Sequence, residues 1–119
     1  MRILVVGNMG YVGSVLVPYL RKVYPKSSIV GLDIGYFSKK IINDSNPEDY
    51  LDEQIILDIR EVTQSYLVGF DVVVNLAAIS NDPMGKEFEI ATKEINFLAG
   101  IKLAKLSKEA GVKKFIFAS

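Results

Sequence analysis

The sequence predicts an α/β domain built on a doubly wound parallel sheet, and three observations carry that prediction. Apolar, β-branched runs of the kind that suit strands covered on both faces alternate with stretches of helical period. The first run, Ile3-Leu4-Val5-Val6, passes directly into Gly7-Asn8-Met9-Gly10-Tyr11-Val12-Gly13, a glycine turn that opens a helix. The second run, Ser28-Ile29-Val30-Gly31-Leu32, closes on an acid, Asp33, about 20 positions beyond the turn.

Each element follows from its residues. Arg2 to Val6 is almost wholly apolar and reads as a buried strand. Tyr11 to Val23 reads as a helix with Val12, Val15, Leu16, Tyr19 and Leu20 as its apolar positions, and Pro18 should remove one backbone bond and bend it. Pro25 and Lys26-Ser27-Ser28 turn the chain into a second strand, Ile29 to Leu32. From Tyr36 to Asp52 the period is lost, and Asn43-Asp44-Ser45-Asn46-Pro47 is a turn-rich insertion. Gln54 to Leu57 forms a third strand closed by Asp58-Ile59-Arg60, Glu61 to Leu67 a short helix, and Asp71 to Leu76 a fourth strand. After a loop around Asn81-Asp82-Pro83, a long helix from Glu87 to Glu109 has Ile90, Ile95, Leu98, Ile101 and Leu106 on or near its buried face. Gly111 ends it, and Lys113 to Phe117 is the fifth strand.

Strands joined through helices imply parallel pairing with crossovers of one hand, and the strand order expected of such a sheet is 3, 2, 1, 4, 5. Ligands of such sheets lie at the carboxyl ends of the strands where the order reverses, here between strands one and four. That point sets Gly7 to Gly13 opposite the loop from Ala77 to Ser80, with Asp33 and Asp58 along the same edge.

Composition narrows the chemistry. The 119 residues contain no Cys and no His, which excludes disulfides, thiolate or imidazole metal sites, and nucleophiles paired with histidine. Basic and acidic residues balance at 14 each, so no net field recruits nucleic acid or an anionic membrane. No apolar stretch approaches a membrane span and no leader opens the chain, which sets the expectation of a cytoplasmic protein without a membrane partner.

The glycine turn and the acid give a specific expectation. A diphosphate bound at a helix N-terminus needs backbone N–H groups that approach closely, and glycine removes the side chains in the way. The spacing is G-x-x-G-x-x-G rather than G-x-G-x-x-G, so its meaning depends on the preceding strand, the following helix and the acid at Asp33. A carboxylate there accepts both hydroxyls of an adenosine ribose and repels a ribose phosphate, which favours NAD over NADP.

With Asn75-Leu76-Ala77-Ala78 after the fourth strand, Glu94-Ile95-Asn96 in the long helix and Lys113-Lys114-Phe115-Ile116-Phe117-Ala118-Ser119 at the fifth strand, the chain resembles a family. It is similar throughout to the extended short-chain dehydrogenase/reductases, in particular the NAD-dependent nucleotide-sugar epimerases and dehydratases. The resemblance implies a Rossmann-type sheet of five strands, incomplete at the C-terminus, in which residues 1–119 are the N-terminal cofactor-binding portion and the substrate domain is absent. It implies that Gly7, Asn8, Met9, Gly10, Tyr11, Val12 and Gly13 hold the pyrophosphate of NAD and Asp33 the ribose. It further assigns Asp58 and Ile59 to the adenine edge, and Leu76, Ala77, Ala78, Ser80 and Asn96 to the rest of the cofactor site.

Several of these positions have a second reading. Ala77 and Ala78 would also permit helix packing, Asp58 is equally suited to cap a helix, and Asn96 would serve as an exposed polar position. Ser80 and Asn81 also fit ordinary turn chemistry.

In the family, hydride transfer through a keto-sugar intermediate is assisted by a Tyr and a Lys four residues later, and both lie after the fifth strand. The resemblance therefore places the catalytic residues beyond Ser119 and leaves this segment inactive by itself. A literal Tyr-x-x-x-Lys occurs at Tyr36 and Lys40, but it follows the second strand, near the adenosine end, where no hydride chemistry reaches. Two expectations follow: a nucleotide-sugar substrate for the complete enzyme, and an apolar fifth strand that invites pairing with another chain, hence a homo-oligomer. The competing reading is a non-catalytic NAD-binding regulatory module.

Overall fold

The computed structural model describes residues 1–35, 50–77 and 86–118, with side chains in the long helix from Phe97 onward. Tyr36, Lys40 and the 43–47 insertion lie outside the described residues, as do Ala78, Ser80 and Asn81. The elements are β1 (Arg2–Val6), α1 (Tyr11–Val23), β2 (Ser28–Asp33), β3 (Glu53–Ile56), α2 (Gln64–Leu67), β4 (Val72–Asn75), α3 (Lys86–Glu109) and β5 (Lys114–Phe117). All pairings among the described strands are parallel, and the order is β3-β2-β1-β4-β5, as expected.

The alternation of strand side chains divides the core into two layers. Leu4, Val6, Val30, Leu32 and Val73 point to one face, where Leu67 of α2 and Leu103 of α3 cover them. Ile3, Val5, Ile29 and Val74 point to the other and pack on Val17 of α1. Helices on both faces explain why β1 and β2 read as continuous apolar runs.

Helical periodicity identified α1 and α3 but captured their buried faces only in part, the side chains of Ile90 and Ile95 lying outside the described residues. In α1 the fully buried positions are Gly13 and Val17, flanked by Leu16 and Leu20, while Val12, Val15 and Tyr19 are exposed. In α3 the sheet is met by Ala99, Leu103 and Ser107 with Leu106 beside them, whereas Leu98 and Ile101 are exposed. Both helices carry apolar residues around much more than one stripe, so spacing alone could not choose between faces. Pro18 sits inside α1, which continues through it to Val23. The short helix expected from Glu61 to Leu67 divides into a 3-10 turn, Ile59–Glu61, and α2; Val62 and Thr63 between them are extended or cap the second piece.

α3 ends in a Schellman arrangement. Gly111, at φ +85°, donates to the Lys108 carbonyl at 3.2 Å, and Val112 donates to Ser107 at 3.0 Å.

Candidate functional site

The carboxyl ends of β1, β2 and β4 meet at Gly7. Its N–H donates to the Leu32 carbonyl at 2.7 Å, while Val6 accepts from the Leu76 N–H at 2.8 Å, so the chain leaves β1 wedged between its two neighbours. Gly7 has φ +83°, and a Cβ there would lie 2.7 Å from the Ala77 nitrogen. Backbone conformation and close approach both demand glycine.

Gly13 is demanded for a different reason. On the inner face of α1, its missing side chain is replaced by the backbone of Asn8, whose Cα would stand 2.6 Å from a Cβ. Gly10 stands apart from both. Its φ of −76° is open to any residue, and the nearest atom to a Cβ would be the Gly7 carbonyl oxygen at 3.4 Å, an ordinary contact. Among the described residues, nothing in the packing requires glycine at position 10.

Gly10 is also the N-cap of α1. It makes no side-chain cap bond, and the first turn contains no acid. The N–H groups of Tyr11, Val12 and Gly13 have no earlier carbonyl within the helix to bond, so this end carries unsatisfied donors and the positive pole of the helix. Tyr11 and Val12 are exposed there. The arrangement suits an anion seated against the backbone at Gly10.

Asp33, 8% exposed at the end of β2, turns its carboxylate toward the turn. One oxygen accepts from the Met9 N–H at 2.9 Å and the other from the Gly35 N–H at 3.0 Å. Each oxygen retains acceptor capacity for a further donor such as a hydroxyl.

Asp58 caps the 3-10 turn by accepting from the Arg60 N–H at 2.9 Å, and the Arg60 guanidinium closes on both its oxygens, the shortest contact being 2.6 Å. The Arg60 side chain is the main reason the Asp58 carboxyl titrates below the usual carboxylate range. Of the two readings of Asp58, the structure displays the cap. Ile59 is half-buried against the α2 and α3 face of the core.

Leu76 and Ala77 lie beside Gly7 as the topology requires, and the Ala77 N–H donates to Asn75 Oδ1 at 3.0 Å. The Asn75 amide nitrogen is buried and has no acceptor among the described residues. Asn96 belongs to α3, with its side chain outside the description.

Asn8 departs most from the expectation that the whole turn faces a ligand. It is 1% exposed, and its side chain is turned into the sheet, where its amide pairs with that of Gln54 on β3. Gln54 was not singled out from sequence. The available signal was Gly31, a glycine in mid-strand of the kind that marks a close approach by another group.

A shallow cleft of about 500 Å³ between β3 and α2, lined by Arg2, Gln54, Tyr66 and Phe70 among others, opens at the other end of the sheet. It lacks the converging backbone donors found at the glycine turn. Among the described residues no cluster of acids suits a metal ion, and no helix is long and apolar enough to cross a membrane.

Comparison with known proteins agrees with this geometry. Residues 3–119 match the model of the NAD dependent epimerase/dehydratase family. A dTDP-D-glucose 4,6-dehydratase of Dictyostelium discoideum is 30% identical over 128 residues, an alignment covering 99% of this chain and 28% of that protein. Among solved structures, UDP-glucuronic acid 4-epimerase from Bacillus cereus in complex with NAD is 28% identical, with a TM-score of 0.68 over 98% of this chain and 39% of that one. An NAD-dependent NDP-hexosamine 5,6-dehydratase involved in tunicamycin biosynthesis shares the fold, with a TM-score of 0.78 at 23% identity, covering 99% of this chain and 36% of that one. The chain spans well under half the length of each of these relatives.

Proposed function

Since the chain belongs to the NAD dependent epimerase/dehydratase family, we propose that residues 1–119 form the cofactor-binding part of a nucleotide-sugar epimerase or dehydratase. The observation that carries the reading is Gly10. Its neighbours Gly7 and Gly13 are glycine for the protein's own packing, whereas Gly10 is bare where no packing among the described residues asks for it and where the N-terminus of α1 offers its donors. A diphosphate seated there accounts for both facts.

The assignments follow from that seat. Tyr11, Val12 and Gly13 present backbone N–H groups to the diphosphate, and Ala77 with Ala78 leaves room at the β1/β4 crevice. Asp33 receives the adenosine ribose hydroxyls on the acceptor capacity left by Met9 and Gly35. Asp58 and Ile59 flank the adenine, with the Arg60 side chain favouring the charged form of the Asp58 carboxyl. Leu76, Ser80 and Asn96 complete the set of cofactor residues that the family resemblance assigns.

NAD, when bound, would accept a hydride from the sugar carbon that bears a hydroxyl while that hydroxyl gives its proton to a base, and the family's reactions proceed from the keto-sugar so formed. The present residues contribute binding and orientation. Proton transfer is assigned to residues outside 1–119, because the family's Tyr and Lys come after the fifth strand whereas Tyr36 and Lys40 come after the second in sequence.

Calorimetric titration of the full-length protein tests the reading. Saturable binding of NAD, with NADP bound more weakly, is expected; absence of NAD binding by a folded protein overturns it. An Asp33→Ala variant should lose most of the preference between the two dinucleotides.

A further inference from the structure

The reciprocal amide pair beneath the turn has no place in the assignments above. Asn8 Nδ2 donates to Gln54 Oε1 at 2.6 Å, and Gln54 Nε2 donates back to Asn8 Oδ1 at 3.1 Å and to the Ile55 carbonyl at 3.1 Å. Both ends of a buried amide are thereby satisfied by a single partner, which fixes its orientation.

The pair spans a strand. Gly31 of β2 stands in register with Val5 on one side and Gln54 on the other. The Asn8 amide lies over Gly31 to reach Gln54, and a Cβ on Gly31 would come within 2.6 Å of Asn8 Oδ1. Gly31 has no positive φ, so its lack of a side chain serves this passage rather than a backbone turn. Gly13 grips the Asn8 backbone from α1. Residue 8 is thus held by α1, β2 and β3 together.

The next peptide N–H in the chain is Met9, and it donates to Asp33 Oδ2. Fixing Asn8 fixes the peptide that follows it, and that peptide orients the Asp33 carboxylate. We propose that Gln54 is a positioning residue of the dinucleotide site. Acting through Asn8 and the Met9 N–H, it holds Asp33 where the carboxylate accepts ribose hydroxyls and rejects a 2′-phosphate, and so helps to set selectivity for NAD over NADP. This inference rests on the assignment of Asp33 to the ribose.

If Gln54 loses its amide, Asn8 must satisfy its own elsewhere, the 8–9 peptide loosens, and Asp33 loses a directed donor. The cost then falls on discrimination between dinucleotides more than on the diphosphate seat at Gly10, which Gln54 does not touch.

The test compares NAD and NADP affinities in the full-length protein for Gln54→Met, which keeps length and removes the amide, and for Asn8→Ala, which breaks the pair from the other side. Thermal melts run alongside confirm that each variant is folded. Each variant is expected to lower the NAD/NADP affinity ratio roughly three- to tenfold, the size of one hydrogen bond. The double variant is expected to lose no more than either single one, because both remove the same interaction. In an Asp33→Ala background, Gln54→Met should leave the ratio unchanged, an outcome that a merely structural role for Gln54 does not predict. If Gln54→Met does not fold, Asn8→Ala alone carries the comparison. An unchanged ratio in a folded single variant, where Asp33→Ala does change it, overturns the positioning role and leaves the ribose assignment intact. An unchanged ratio in Asp33→Ala overturns the ribose assignment and this inference with it.

Discussion

At the scale of single residues, the three glycines of the turn look alike in the sequence and do different work in the fold. Gly7 answers to a positive φ and to the backbone of β4, and Gly13 answers to Asn8 packed against α1. Gly7→Ala and Gly13→Ala should each destabilise the protein by about 1–3 kcal/mol, measured by denaturant unfolding. Gly10→Ala, at an N-cap where a Cβ meets only the Gly7 carbonyl oxygen among the described residues, should cost less than about 1 kcal/mol. A Gly10 variant as damaging to stability as the other two would show that the protein's own packing explains all three. The turn, the acid at Asp33 and the small residues after β4 were legible because each is a residue type at a required spacing. The Asn8–Gln54 pair was not, since it joins positions 46 apart through a mid-strand glycine whose purpose appears only once the register is known.

At the scale of elements, the sequence located helices well and oriented them poorly. Tyr11–Val23 was read to the residue, because a glycine start and a polar, proline-containing exit bracket it. Its buried face was not, because Val12, Val15 and Tyr19 obey helical spacing as well as Val17 and Leu20 do. The same ambiguity put Leu98 and Ile101 on the inner face of α3, where Ala99 and Leu103 in fact meet the sheet. Leu103→Ala should therefore destabilise the 119-residue chain by about 3 kcal/mol in urea unfolding. Ile101→Ala should change it by less than about 0.5 kcal/mol. Equal effects at the two positions would mean that α3 is rotated from the orientation described.

At the scale of the whole molecule, strand order was legible because a glycine turn after the first strand and an acid after the second mark the dinucleotide-binding version of this alternation, and burial on both faces explains the apolar strands. The contacts through which Asp52 and Asp71 tie the ends of elements together were not, since they depend on which termini meet. Asp52 accepts from the Ile29 N–H and then from Arg21, Asp71 from the Arg2 N–H, and Asp58 from the Arg60 side chain; each carboxyl is held below its usual range, with these partners as the main causes. The stability that such groups contribute is complete above the unfolded carboxylate value, near pH ~4, and is lost as the pH falls through the lower folded values. The melting temperature should accordingly decline from about pH 4 downward, and Asp52→Asn should flatten that decline; an identical acid profile in the variant would remove Asp52 from the account.

All three scales meet at Gly10, where residue, helix end and strand order converge on one seat for a diphosphate. The most direct measurement is calorimetric titration of the full-length protein with NAD, in wild type and Gly10→Val, with thermal melts of both. The account predicts loss of NAD binding in a variant that remains folded. Equal NAD affinity in the two proteins would contradict it.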